Sequence, residues 1–168
     1  LQGEGVSASA ASWALAMIGL FNIFGSLVFG RLGDSLSKKS LLSLLYALRT
    51  VVISLFLAIP LSDLTAIAFG AAIGFLWLAT VPLTSGIVAQ VFGTRYLTTL
   101  WAIVFFSHQL GAFLGVWLGG RVYDSTGSYT TVWLAAIALG LIAAVVHLPI
   151  REQPWQPSLP APQPAAGD

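Results

Sequence analysis

The stretch Gly-Arg-Leu-Gly-Asp-Ser-Leu-Ser-Lys-Lys, residues 30–39, is the densest run of charge in a chain that is otherwise mostly apolar. Apolar runs of helical length lie on both sides of it. Such runs are typical of membrane-spanning helices, because about 20 apolar residues are needed to cross the hydrocarbon layer. The stretch therefore predicts a tight turn on one membrane face that joins two spanning helices.

The composition of the whole chain agrees with a membrane protein. Hydrophobic residues make up 57% of its 168 residues and charged residues only 8%, whereas a soluble domain carries about 25% charged residues. The apolar runs do not alternate with polar residues as the strands of a membrane barrel would. We therefore expect an all-α integral membrane protein whose surroundings are the lipid bilayer. The net charge of +1 gives no indication of a nucleic-acid partner.

Five transmembrane helices are predicted within a bundle over residues 1–150, at about 8–31, 40–60, 64–91, 96–122 and 130–150. The third run would measure about 42 Å, which exceeds the ~30 Å hydrocarbon layer. Pro82 is expected to bend it, because proline cannot donate a hydrogen bond to the carbonyl of Leu78. The proline-rich segment 151–168 is predicted to be a disordered cytoplasmic tail.

The distribution of basic residues predicts the orientation of these helices. Five crossings place one set of turns on each side of the membrane, and basic turns favour the cytoplasm. One side receives Arg31, Lys38, Lys39, Arg95 and Arg151, and the other receives Arg121. We therefore expect a multi-pass protein of the cell (inner) membrane, with residues 30–39 and the tail in the cytoplasm.

Arg49 is the most informative polar residue at mid-membrane depth. It lies about 15 Å into the second predicted helix, where an arginine costs about 2.5–3.5 kcal/mol to insert. It therefore needs a partner, and we consider three: a part of the protein outside this chain, backbone carbonyls, or an anionic substrate. Asn22, Trp77 and His108 are further candidates for a substrate site, with plain helix packing or an interhelical hydrogen bond as the alternative for each.

Enzyme chemistry finds little support in the sequence. Motifs for metal-dependent hydrolysis, serine nucleophiles or phosphate binding are absent. The sequence therefore predicts neither a metal site nor a cofactor. Three classes of protein remain under consideration: a secondary transporter, a structural or assembly subunit of the membrane that transports nothing, and an integral membrane enzyme, which we do not expect.

The charged stretch resembles the G-x-L-a-D-x-x-G-r-k signature loop of the major facilitator superfamily. The match covers Gly30, Leu32, Asp34, Lys38 and Lys39, and it departs from the pattern at Ser35 and Ser37. The bent third helix and the glycine-striped fourth helix are also similar to the end of that superfamily. The resemblance implies helices eight to twelve of twelve, a partial C-terminal six-helix bundle. The chain opens at Leu1, and we expect it to be a fragment.

The resemblance also implies a mechanism. Two halves of the transporter would rock around a central site and expose it to each side in turn. Gly30, Asp34, Lys38 and Lys39 would form the gating loop, acting against a missing N-terminal half. The lysines would pair with cytoplasmic acids. Residues 93–129 look similar to bacterial monocarboxylate and oxalate/formate porters, which implies a small organic anion as the substrate.

Overall fold

The computed structural model describes residues 5–154 and shows helices joined by short turns, without a β-strand in that range. The helices are α1 (Ala8–Ser35), α2 (Lys38–Ala58), α3 (Asp63–Trp77), α4 (Thr80–Phe92), α5 (Leu97–Thr126) and α6 (Thr130–His147). Five segments are long and apolar enough to span a membrane, with α3 and α4 counting together as Asp63–Phe92. The predicted all-α architecture with five spans is confirmed.

The charged stretch 30–39 differs from its prediction, because most of it is helical. Helix α1 continues to Ser35 rather than ending near Arg31, and the turn is reduced to Leu36 and Ser37. The Leu36 N–H donates to the carbonyl of Leu32 at 2.8 Å. The Ser37 side chain then accepts from the N–H of Ser40 and begins α2. Charge and glycine predicted a loop here, but both are compatible with the last turn of a helix.

The third apolar run is interrupted near the residue that is expected to bend it, although the backbone of Leu78 and Ala79 stays in the helical region. Helix α3 ends at Trp77 and α4 begins at Thr80. Pro82 has no N–H to offer the carbonyl of Leu78, and the N–H of Val81 donates to that carbonyl instead, at 3.0 Å. In a continuous helix the Val81 N–H would bond with the carbonyl of Trp77. Because the Val81 N–H bonds with Leu78, the Trp77 carbonyl lacks its usual helical donor.

Glycines set the closest helix contact, between α1 and α3. A Cβ added at Gly74 would lie 2.6 Å from the carbonyl oxygen of Ile18. One added at Gly70 or Gly25 would overlap with a backbone carbonyl of the facing helix. Backbone approach of this kind is how helices pack in a bilayer, where no hydrophobic force drives helices together.

A buried apolar cluster connects the four helices α1, α2, α3 and α4 and lies toward the end of the bundle that carries the charged stretch. It consists of Phe29, Leu41, Leu42, Leu45, Leu76, Ala79 and Leu83. By contrast, Gly119 is the one residue of α5 that is buried among the described residues. The Cβ positions of Gly111 and Gly115 meet nothing within 4 Å. The glycine spacing of α5 is therefore not used for packing within the described part of the chain.

Hydrogen bonds tie the helix ends together at both faces of the bundle. At one face, Asp63 accepts from the N–H and the hydroxyl of Ser7, both at 2.8 Å, so that the starts of α1 and α3 are joined. Ser62, rather than Asp63, caps α3, in a capping box with Thr65. At the other face lie the α1–α2 turn, the end of α4 and the segment after α6. Of the predicted tail, residues 155–168 lie outside the described residues.

Candidate functional site

The peptide group between Trp77 and Leu78, at the break of the third span, is held by side chains from two other helices. Arg49 on α2 donates from Nη2 to the carbonyl of Trp77. Asn22 on α1 accepts, at Oδ1, a 3.0 Å hydrogen bond from the N–H of Leu78. Both polar halves of one peptide group are thus bound from opposite sides, which fixes its orientation at mid-membrane depth.

Arg49 also binds the preceding residue of α3. Its Nε donates to the carbonyl of Leu76 at 3.1 Å, and Nη2 shares that carbonyl. The guanidinium carbon lies 5.1 Å from the centre of the Tyr46 ring, within the range of a cation–π contact. Of the three partners considered for this arginine, the described residues supply backbone carbonyls.

The charge of Arg49 is not matched by an acid in the described part of the chain. The carboxylates there are Asp34, Asp63, Asp124 and Glu152, and each lies at or beyond the end of a helix. Backbone carbonyls solvate a guanidinium through their dipoles but do not neutralise it. The break therefore carries net positive charge among apolar helices.

Local chemistry explains why side chains are recruited at this break. The residues that cap the ends of the other five helices each donate their N–H to a carbonyl of the same helix, whereas Leu78 donates to Asn22. The Trp77 carbonyl, whose usual donor, the Val81 N–H, bonds with Leu78 instead, accepts from Arg49 and, at 3.3 Å, from the hydroxyl of Thr80. Polar backbone at this depth must be paired within the protein, because lipid offers no hydrogen bonds.

Trp77 and His108, the other two candidates, occupy different surroundings. The Trp77 side chain is 54% exposed, and the carbonyl of the same residue is one that Arg49 binds. His108 lies on α5, is exposed, and has its ring 6.2 Å from that of Phe105 on the same helix. The hydrogen bonds described for Asn22 and Arg49 do not involve it. The structure thus brings Asn22, Arg49 and the backbone of Trp77 to one place and leaves His108 on the loosely packed α5.

Three of the four predicted gating residues line a cleft of about 450 Å³ at the face that carries the charged stretch. Gly30, Asp34 and Lys38 form one wall and Pro82, Leu83 and Gly86 the other. Lys39 points elsewhere, and its Nζ donates to the carbonyl of Leu148 at 3.0 Å.

The lysines of this loop bind neutral oxygens through their side chains. Lys38 donates from Nζ to the side-chain oxygen of Gln90 at 3.1 Å. The pairing of both lysine ammonium groups with acids, implied by the resemblance, is therefore not seen among the described residues. Instead, it is the backbone N–H of Lys39 that contacts an acid, Glu152, at 2.5 Å.

Gln90 and Glu152 were not among the predicted site residues. The proline content of the segment after Ile150 led us to treat Glu152 as part of the tail. One signal was available, because the topology places Glu152, like Asp34, on the same side as Lys38 and Lys39. The sequence offered no comparable signal for Gln90, whose contacts depend on how α2 and α4 are brought together.

The arrangement as a whole suits binding rather than bond-breaking chemistry. A guanidinium, a carboxamide and an indole at the break can hold a small polar molecule through hydrogen bonds and apolar contact. No group of three His, Asp or Glu side chains within residues 5–154 is placed to hold a metal ion.

Comparison with known protein families agrees with the signature stretch. A family model described as Major Facilitator Superfamily matches residues 2–166, nearly the whole chain. The chain belongs to this superfamily, which is a family of membrane transporters.

Individual relatives give the same result. The chain is 31% identical over 140 residues to an uncharacterized MFS-type transporter, YcxA, of Bacillus subtilis, covering 80% of this chain and 34% of that protein. It is 25% identical over 162 residues to monocarboxylate transporter 12 of Mus musculus, covering 90% and 33%. It is 27% identical over 148 residues to monocarboxylate transporter 13 of Rattus norvegicus, covering 87% and 34%. The chain thus spans about a third of the length of these relatives, and no solved structure matches it.

Proposed function

We propose that this chain is the C-terminal part of a secondary transporter that moves a small organic anion by alternating access. Its helices would correspond to the last five of twelve, and an N-terminal half would complete the central site. Membership of the superfamily supports this proposal, as does the share of its relatives that the chain covers. Two of the relatives cited are named monocarboxylate transporters, which makes a small monocarboxylate the first substrate to test.

The observation that carries the proposal is the positive charge held at the break of the third span. Arg49 uses Nε and Nη2 for the carbonyls of Leu76 and Trp77. A guanidinium has five N–H donors, and those of Nη1 take part in none of these bonds. A carboxylate could therefore bind Nη1 while the carbonyls keep the side chain in place.

Asn22 and Trp77 would complete this site from the other side of the break. The oxygen of Asn22 binds Leu78, so its amide nitrogen is the group that would donate to a substrate. The exposed indole of Trp77 offers an apolar surface to the hydrocarbon part of a small acid. We propose His108, on α5, as a further contact supplied from another wall of the completed cavity.

Asp34 is proposed to close the inner side of the transporter. The cleft that it lines would receive a helix of the missing half, and its carboxylate would face the positive end of that helix dipole. Replacing Asp34 with asparagine in the full-length protein keeps the size of the side chain but removes the charge. We expect uptake of a small monocarboxylate to fall about fivefold, since a charge–dipole contact is worth about 1 kcal/mol.

The test compares initial uptake by the wild type and the Asp34→Asn variant at equal amounts of membrane-inserted protein. The matched control is Asp124→Asn, which changes a carboxylate near the opposite end of the bundle. Wild-type uptake by Asp34→Asn would rule out this gating role. A full-length protein that inserts but transports no member of a panel of small solutes would favour the alternative, a structural or assembly subunit.

The orientation of the chain is proposed from its charge distribution. The basic residues at the ends of α1, α4 and α6 and at the start of α2 lie at one face of the bundle, and Arg121 lies near the other. The positive-inside rule assigns the first face to the cytoplasmic side of the cell (inner) membrane. We expect thiol reagents that do not cross membranes to label a cysteine at Ser128 in intact cells and to spare one at Ser35. The reverse pattern, or labelling of both, would contradict this orientation.

A further inference from the structure

The segment that follows α6 is joined to the start of α2, directly beside the gating loop. A carboxylate oxygen of Glu152 accepts a 2.5 Å hydrogen bond from the backbone N–H of Lys39. The Lys39 ammonium group donates to the carbonyl of Leu148 at 3.0 Å. Side chain and backbone of one lysine thus hold the end of α6 and the residues after it.

Gln90, near the end of α4, connects the same segment to the neighbouring lysine. Its side-chain oxygen accepts from Lys38 Nζ at 3.1 Å, and its side-chain nitrogen donates to the backbone carbonyl of Glu152 at 2.7 Å. The stem of Lys38 lies against Gly86, where an added Cβ would come 2.8 Å from Lys38 Cε. The ends of α4 and α6 and the start of α2 therefore share one hydrogen-bonded network.

The contact with Lys39 is a strong one for physical reasons. The first N–H groups of a helix have no partner within the helix, and the helix dipole makes that end positive. Ser37 serves the N–H of Ser40, so the N–H of Lys39 needs a different acceptor. A carboxylate is the best acceptor for this position, because hydrogen bonds to an ionised group are about twice as strong as neutral ones.

We propose that Glu152 is a positioning residue for transport, which keeps the start of α2, and with it Lys38 and the α1–α2 turn, in one fixed place. The inference rests on the proposed function, because the loop that it positions is the proposed gate. Glu152 does not touch the substrate in this account. It acts by holding the loop in the geometry that the opposite half must meet during each cycle.

The experiment uses the full-length protein with Glu152→Ala, Glu152→Gln and, as the matched control, Gln153→Ala. Two quantities are measured: hydrogen–deuterium exchange of the peptide covering residues 36–42, and the concentration dependence of monocarboxylate uptake. Glu152→Ala is expected to speed exchange of the protected amide in this peptide about tenfold, because the Lys39 N–H loses its charged acceptor. It should also lower the maximal rate about fivefold while KM stays within about twofold, because a loop that must reorder slows the cycle without changing the substrate site.

The glutamine variant keeps an oxygen acceptor but loses the charge, so it should recover about half of both effects, whereas a general loss of folding would not be recovered. The proposal is overturned if Glu152→Ala leaves exchange or maximal rate unchanged, if its effect is on KM, or if Glu152→Gln behaves like Glu152→Ala. A wild type that takes up no substrate would instead refute the proposed function. In that event the exchange data alone decide whether Glu152 holds the start of α2.

Discussion

Replacing Arg49 with alanine in the full-length protein is expected to reduce monocarboxylate uptake at least tenfold. The substitution removes the donor that the carbonyls of Leu76 and Trp77 share and the charge that would attract the substrate. Hydrogen bonds from a charged donor are worth about 1.5–3 kcal/mol each, and about 1.4 kcal/mol corresponds to a tenfold change. Removing the arginine also removes its cost of membrane insertion, about 2.5–3.5 kcal/mol. The amount of the alanine variant in the membrane should therefore fall less than its transport activity.

Two further variants show whether the loss comes from this site. Arg49→Lys keeps the charge but cannot bind two carbonyls with a planar group, and we expect its uptake to lie between those of the wild type and the alanine variant. Arg121→Ala removes an arginine that stacks on Trp117 near the opposite face, with its guanidinium carbon 4.8 Å from the ring centre. It should transport normally. Uptake by Arg49→Ala within about twofold of the wild type would contradict a substrate role for the break.

The second large effect is expected at Gly74, where α1 and α3 meet backbone to backbone. An alanine there would place its Cβ 2.6 Å from the carbonyl oxygen of Ile18, so the two helices must separate. Overpacking costs about 1–3 kcal/mol, whereas alanine gains about 1 kcal/mol in helix propensity over glycine. The clash should win by about 1 kcal/mol, and the melting temperature of the purified full-length protein should fall by about 1–2 °C.

Gly19 provides the matched control on the same helix pair. It is also helical, but an added Cβ meets nothing within 4 Å among the described residues. Gly19→Ala should therefore leave the melting temperature unchanged or raise it slightly through helix propensity. If Gly74→Ala melts at the same temperature as Gly19→Ala, the close contact between α1 and α3 is wrong. Thermal unfolding in detergent, followed by size-exclusion chromatography of the heated samples, gives the comparison.

These two sites show how much the sequence could predict. Apolar run length and the spacing of charge were sufficient for the five spans, because the bilayer imposes a fixed length on each of them. The match of residues such as Gly30, Asp34 and Lys38 to the signature loop was sufficient to predict the superfamily. The partner of Arg49 could not be chosen in advance. Its choice depends on the register between α2 and α3, and on the carbonyl of Trp77, whose usual donor, the Val81 N–H, bonds with Leu78 instead.

The glycines make the same point about packing. Gly70 and Gly74 of α3 and Gly111 and Gly115 of α5 have identical spacing in sequence. The first pair lies against the backbone of α1, and the second faces open space in the described part of the chain. Spacing predicts that a close approach is possible but does not identify the helix that makes it.

Charge, too, was interpreted correctly only in part. The number of spans predicted which helix ends lie at one face, and the orientation assigned from the basic residues stays a prediction. The proline content of the segment 151–168 drew attention away from Glu152, which is half-buried and bound to Lys39. Composition describes the average of a segment, whereas this contact depends on one carboxylate within reach of a helix start.

The measurement that tests the account most directly is substrate exchange by the purified full-length protein in liposomes. Vesicles loaded with a small unlabelled monocarboxylate are diluted into a trace of the same labelled compound, and no ion gradient is needed. A transporter with the proposed site should accumulate label transiently above the level of vesicles loaded with buffer alone, and Arg49→Ala should not. Equal label in both kinds of vesicle, for every small carboxylate tested with well-folded protein, would contradict the proposal that this chain helps to carry organic anions across a membrane.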